Sequence, residues 1–188
     1  MTTTARRSVL LRLITAFVVG FVSLTLEIAY TRVISFKLFY YYTYFVIGLA
    51  LLGLGAASAF VSISSRLRKA DTVHLVQRVA PIAALAGVVG YAIVARLAVD
   101  VNLIWVGTRW EALFQLFLLF VLSVSITAVF FAVGLVFASL VVNQAAHMRR
   151  LYFWDLLGAA TGCLLAVPLE STIGPPTMIL ASLVLLAL

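Results

Sequence analysis

Predominantly apolar runs long enough to cross a bilayer recur five times along this chain, separated by short turns that carry most of its charge. A transmembrane helix needs about 20 such residues. Hydrocarbon offers no partner for a backbone N–H or C=O, so each run must satisfy its hydrogen bonds within itself, as a helix does. The expected fold is therefore all-α, a polytopic transmembrane helix bundle forming one domain over residues 1–188 with its N-terminus in the cytoplasm. Five full spans cover roughly 9–34, 40–63, 79–101, 112–142 and 151–169, and a partial sixth covers 177–188. The fourth is long for a bilayer and must tilt, kink or project. The last turn signal is Gly174-Pro175-Pro176, and about a dozen apolar residues follow it before Leu188. That is short of a span, and the expectation is that the last helix finishes elsewhere or the chain continues into something larger.

Composition supports this class. Hydrophobic residues make up 65% of the chain and charged residues 10%, with a mean hydropathy of +1.21. Soluble domains carry about 25% charged residues, so a globule with a polar surface is excluded. The net charge of +7 is not spread as a nucleic-acid interface would need. Instead Arg6, Arg7 and Arg12 precede the first span, Arg66, Arg68, Lys69 and Arg78 lie between the second and third, and Arg149 and Arg150 precede the fifth. Arg32, Lys37 and Arg109 fall on the alternate side, and Arg96 lies inside the third span. Nine of the 13 basic residues thus share one side, which the positive-inside rule places in the cytoplasm. The lone cysteine, Cys163, allows no disulfide framework.

Aromatic residues gather where spans meet water. Tyr40, Tyr41 and Tyr42 open the second span at its outer end, and Trp154 marks the inner end of the fifth, as interface aromatics do. The tyrosine run has a second reading, a cation site on the ring faces.

Ionisable residues within spans are costly and become the first functional candidates. Glu27 continues a face of the first span made by Ala16, Gly20 and Ser23, and such a small-residue face admits a neighbouring helix. Glu27 should thus point into the bundle. Arg96 is expected at a similar depth on the third span, which suggests a Glu27–Arg96 pair. The alternative has Arg96 snorkelling to the interface and Glu27 bonded to a Ser, Thr or Tyr. Asp155, one turn into the fifth span, is followed by Gly158, Gly162 and Ala166, a second small-residue stripe. It reads as a buried cap and tether to Arg12, Arg149 or Arg150, or as a member of a proton or cation relay with Glu27. Gly53 and Gly55 in the second span read as packing positions, because a nucleotide-binding glycine motif must follow a strand.

No span contains a histidine, since His74 and His147 fall in turns, so histidine-ligated haem or chlorin is not expected. No cysteine or carboxylate group has metal-ligand spacing, and no P-loop or nucleophile elbow is present. No cofactor is anticipated, and these residues do not read as a complete enzyme.

Two stretches carry a family resemblance. The first runs Leu26-Glu27-Ile28-Ala29-Tyr30-Thr31-Arg32, then Phe39-Tyr40-Tyr41, then Ile47 to Ala56. The second runs from Leu151-Tyr152-Phe153-Trp154-Asp155 through Gly158 and Gly162 to Pro168 and Gly174-Pro175. Together they resemble the membrane region of bacterial spermidine synthase-like integral membrane proteins. The resemblance implies a multi-span part that is often followed by a cytoplasmic aminopropyltransferase-like α/β domain, which these residues do not contain. It also implies that Glu27, Arg32 and Asp155 are required positions. Tyr41 stands where relatives tend to have histidine.

Three functions follow as expectations. The chain could be a non-catalytic module of the bacterial inner membrane that anchors or associates with a cytoplasmic spermidine-synthase-like domain or other partner. It could be a transporter of small cationic solutes such as polyamines. Or it could be an accessory subunit among other membrane subunits of a larger complex.

Overall fold

The computed structural model describes residues 3–38, 42–64, 72–142 and 148–187, with side chains from residue 9 in the first segment and from 74 in the third. Among the described residues there are seven helices and no strand: α1 (Thr3–Leu38), α2 (Thr43–Ile63), α3 (Thr72–Arg96), the short α4 (Asn102–Val106), α5 (Arg109–Val141), α6 (Met148–Ile173) and α7 (Pro175–Ala187). Five are long and apolar enough to cross a membrane, and α7 is the shorter apolar sixth. This is the all-α bundle that the apolar runs called for.

α1 and α5 form the middle. α1 packs against α6, α7, α2 and α5, while α5 packs against α2, α3 and α4, and α7 closes the ring by touching α3. Leu26, Tyr30 and Ile34 of α1 meet Leu122, Ile126 and Phe130 of α5 in one core that also takes in Val46, Ala83 and Ile179. The opposite faces are equally apolar: Phe117 and Phe120 of α5, Leu51 and Phe60 of α2, and Leu164 and Val167 of α6 are all exposed. A helix apolar all round belongs in a hydrophobic surrounding, and soluble monomers rarely expose patches on this scale. The fold is that of a multi-pass membrane protein.

Successive long helices alternate in direction. The N-terminal parts of α1 and α3 and the C-terminal parts of α5 and α7 line one cavity, which contains Arg12, Gln77, Leu140 and Leu186. Arg12, Arg78, Arg149 and Arg150 therefore share one end of the bundle, here the basic end. At 1.5 Å per residue, the 36 residues of α1 extend for about 54 Å, against a hydrocarbon core of about 30 Å. Either tilt or projection must absorb the excess.

Helix ends depart from expectation on α1, which runs on to Leu38, and on α3 and α6. α3 begins at Thr72 and stops at Arg96, whereas hydropathy alone ran from Val79 to Val101. Its stop is made by polar contacts. Lys37 of α1 donates to the carbonyls of Val94, Ala95 and Leu97 at 2.7, 2.8 and 2.8 Å, and Asp100 then accepts from the Asn102 N–H at 3.0 Å as α4 starts. α6 continues past Leu169 to Ile173 and carries Pro168 inside it. A helix-interior proline costs one hydrogen bond, which a transmembrane helix can tolerate when neighbours compensate. Gly174, at φ 77°, then makes the left-handed turn that a side chain would disfavour, and Pro175 opens α7.

Candidate functional site

The intramembrane carboxylates sit on or near the contact between α1 and α6. α6 buries Gly158, Gly162 and Ala166, the stripe read from its spacing, together with Leu151. A Cβ built on Gly158 would collide with the Phe17 carbonyl, and one on Gly162 would lie 2.7 Å from the Phe21 carbonyl oxygen and 3.1 Å from Thr25 Oγ1. Phe17 meets 158 and Phe21 meets 162, so the two helices run parallel. Gly20 answers from α1: its Cβ would strike the Asp155 carbonyl and come 2.8 Å from Asp155 Oδ1. The half-buried Asp155 carboxylate therefore lies against a backbone that only glycine leaves bare. Trp154, half-buried, packs edge-on to Phe17 with ring centroids 6.3 Å apart. It is thus a packing residue as well as an aromatic at the basic end.

Glu27 follows Ala16, Gly20 and Ser23, all buried, and is itself half-buried, so its face turns inward. Its expected partner is elsewhere. Lys37 is the α1 residue that meets the end of α3, and it lies ten residues, or about 15 Å, along the helix from Glu27. Arg96 is exposed at that far end, and among the described residues no charged side chain acts on Glu27. Asp155 likewise has no charged group among the described residues acting on it. It sits level with Gly20, which is eight residues, or about 12 Å, along α1 from Arg12. Among the described residues neither the Glu27–Arg96 pair nor the Asp155 tether is formed: the Lys37 contact sets the end of α3 well beyond Glu27, and the glycine contact sets Asp155 against Gly20.

Arg32 lies within electrostatic reach of a carboxylate that sequence reasoning missed. Its guanidinium acts electrostatically on Glu170 of α6 and stacks over the Phe36 ring at 5.7 Å. Glu170 falls just past the expected end of the fifth span, and only the continuation of α6 through Pro168 brings it onto the parallel partner of Arg32. Glu170 Oε1 is buried without a hydrogen-bond partner. Tyr30 is also unpartnered: it is fully buried, its ring packs against Tyr91 at 6.3 Å and Phe130 at 6.1 Å, and its hydroxyl meets no acceptor.

The remaining glycines divide by face. Gly53 approaches α5, with a built Cβ 2.6 Å from the Thr127 carbonyl oxygen and 2.8 Å from Phe130 Cβ, and Gly134 of α5 answers it at 2.9 Å from Ala57 Cβ. Gly55 is not a packing position, since nothing lies within 4 Å of its Cβ site. Two residues turn a helix by about 200°, which places Gly55 on the opposite face from Gly53. Tyr42 is half-buried and meets Phe45 edge-on at 6.1 Å, whereas Tyr40 and Tyr41 lie outside the described residues. Among those described, no three His, Cys, Asp or Glu gather as a metal site.

The loop between α3 and α5 is ordered by side chains. Gln115 accepts from the Asp100 N–H at 3.0 Å, and Thr108 and Glu111 form a reciprocal capping box at the start of α5. No family model matches the chain, and neither a curated protein nor a solved structure is significantly similar to it.

Proposed function

We propose that the chain is a non-catalytic helical module of a bacterial inner membrane, inserted with its basic end in the cytoplasm, where it anchors or associates with a spermidine-synthase-like domain or another partner. The observation that supports this reading most directly is the use made of Asp155. The carboxylate lies at a backbone-to-backbone helix contact with Gly20, and the cavity at the basic end is lined by neither Asp155 nor Glu27. Small-residue contacts of this kind hold membrane helices together where hydrophobicity supplies no drive. Affinity purification of the tagged chain from native membranes should bring down a stoichiometric cytoplasmic polypeptide. With Cys163 replaced by Ala, a cysteine placed at Lys69 should react only after the membrane is opened. Labelling of that position from outside intact cells refutes the orientation.

The second reading, a carrier of small cations such as polyamines, is favoured by Glu27, an inward carboxylate with no charged partner. It predicts uptake of labelled putrescine or spermidine by proteoliposomes that disappears in Glu27→Gln. Under the anchoring reading, wild type and Glu27→Gln take up no more than empty vesicles.

A further inference from the structure

At the basic end, α1, α3, α5 and α7 enclose a slot of about 400 Å³ walled by side chains such as Val18, Ala80 and Leu186, with Arg12, Thr15 and Gln77 along it. Its volume falls within the roughly 300–1,000 Å³ of ligand sites. Beyond the slot α3 and α7 touch at Gly87, whose built Cβ would lie against the Leu183 side chain. Arg12 is the exception in these walls. Its Nε is buried without a hydrogen-bond partner, and an arginine donor shut away from water needs an acceptor.

The two features together select the occupant. A free phosphate would satisfy Arg12 and leave the apolar slot empty, and a zwitterionic lipid would fill the slot but offer Arg12 a phosphate whose charge its own headgroup cation already offsets. Arg78, Arg149 and Arg150 at the same end add to the positive potential. We propose that the slot holds an acyl chain of an anionic glycerophospholipid whose phosphate accepts hydrogen bonds from Arg12. The proposal rests on the membrane reading, though not on the direction of insertion. Arginine suits this role because its planar fork binds phosphate oxygens in pairs.

Native mass spectrometry of the full chain in detergent, titrated with phosphatidylglycerol and phosphatidylcholine of identical chains, tests it. The wild type should retain phosphatidylglycerol about fivefold better, the effect of one arginine at an anionic headgroup. Arg12→Gln should bring the two lipids to parity, while Arg12→Lys keeps part of the preference. Ala80→Phe, which fills the slot, should lose both lipids, and Arg109→Gln at the far end should change nothing. Helix content and melting of each variant separate a lost site from a lost fold. Parity in the wild type, a preference that survives Arg12→Gln, or a photo-crosslinker at position 80 that captures polypeptide in place of phospholipid would each overturn the assignment. Failure of the membrane reading would look different: the chain would stay soluble without detergent.

Discussion

Replacing Gly158 by alanine adds one methyl group where α6 touches the backbone of α1. The built Cβ collides with the Phe17 carbonyl, and Phe17 Cα stands only 3.0 Å away, so no flexible side chain can yield. Ordinary van der Waals contact needs about 3.5 Å, and the two helices must move apart by several tenths of an ångström or more. Such a gap forfeits a quarter to a half of each dispersion contact along the seam, and overpacking of this kind costs about 1–3 kcal/mol. Alanine's better helix propensity returns about 1 kcal/mol, which leaves a net loss of up to about 2 kcal/mol. Gly162→Ala should lose less, because its Cβ meets the Phe21 carbonyl oxygen at 2.7 Å and otherwise the rotatable Thr25 hydroxyl. Gly55→Ala and Gly48→Ala, whose Cβ sites face open space, should be neutral or slightly stabilising. Trp154 packs on the same Phe17, so its fluorescence during denaturation in mixed micelles reports this seam once Trp105 and Trp110 are changed to Phe. If Gly158→Ala unfolds at the same denaturant fraction as Gly55→Ala, the parallel backbone contact between α1 and α6 is not what holds them.

Three further outcomes follow from side chains that charge or polarity singles out. Lys37→Met removes three donors from the carbonyls of Val94, Ala95 and Leu97; it should cost about 1–3 kcal/mol, with faster amide exchange at the end of α3 and none of that effect in α6. Tyr30→Phe should be neutral or stabilising, because it deletes a buried hydroxyl that has no partner, and a loss above about 1 kcal/mol would mean that the hydroxyl is bonded. A double-mutant cycle of Arg32→Gln and Glu170→Gln should give a coupling of about 0.2–1 kcal/mol that fades with salt, as expected of a guanidinium exposed to water. Zero coupling at low salt would separate the two residues.

The residues by themselves determined the class and the count of long helices, because a bilayer leaves a chain so few choices: apolar stretches of this length can satisfy their backbone only as helices. They also determined which faces of α1 and α6 are packed, since small residues at three- and four-residue spacing are the signature of close approach. Partner choice was decided by the fold. Spacing along one helix does not say which neighbour lies beside it or at what height, so Glu27 was matched to Arg96 by depth, although the Lys37 contact sets α3 about three turns away. Glu170 became the neighbour of Arg32 only once α6 ran on through Pro168 beside a parallel α1. Gly53 and Gly55 look alike in one dimension, and the helical turn between them sends one into α5 and the other outward. Periodicity is a local property of the backbone, whereas register between helices depends on contacts that exist only after the helices have met.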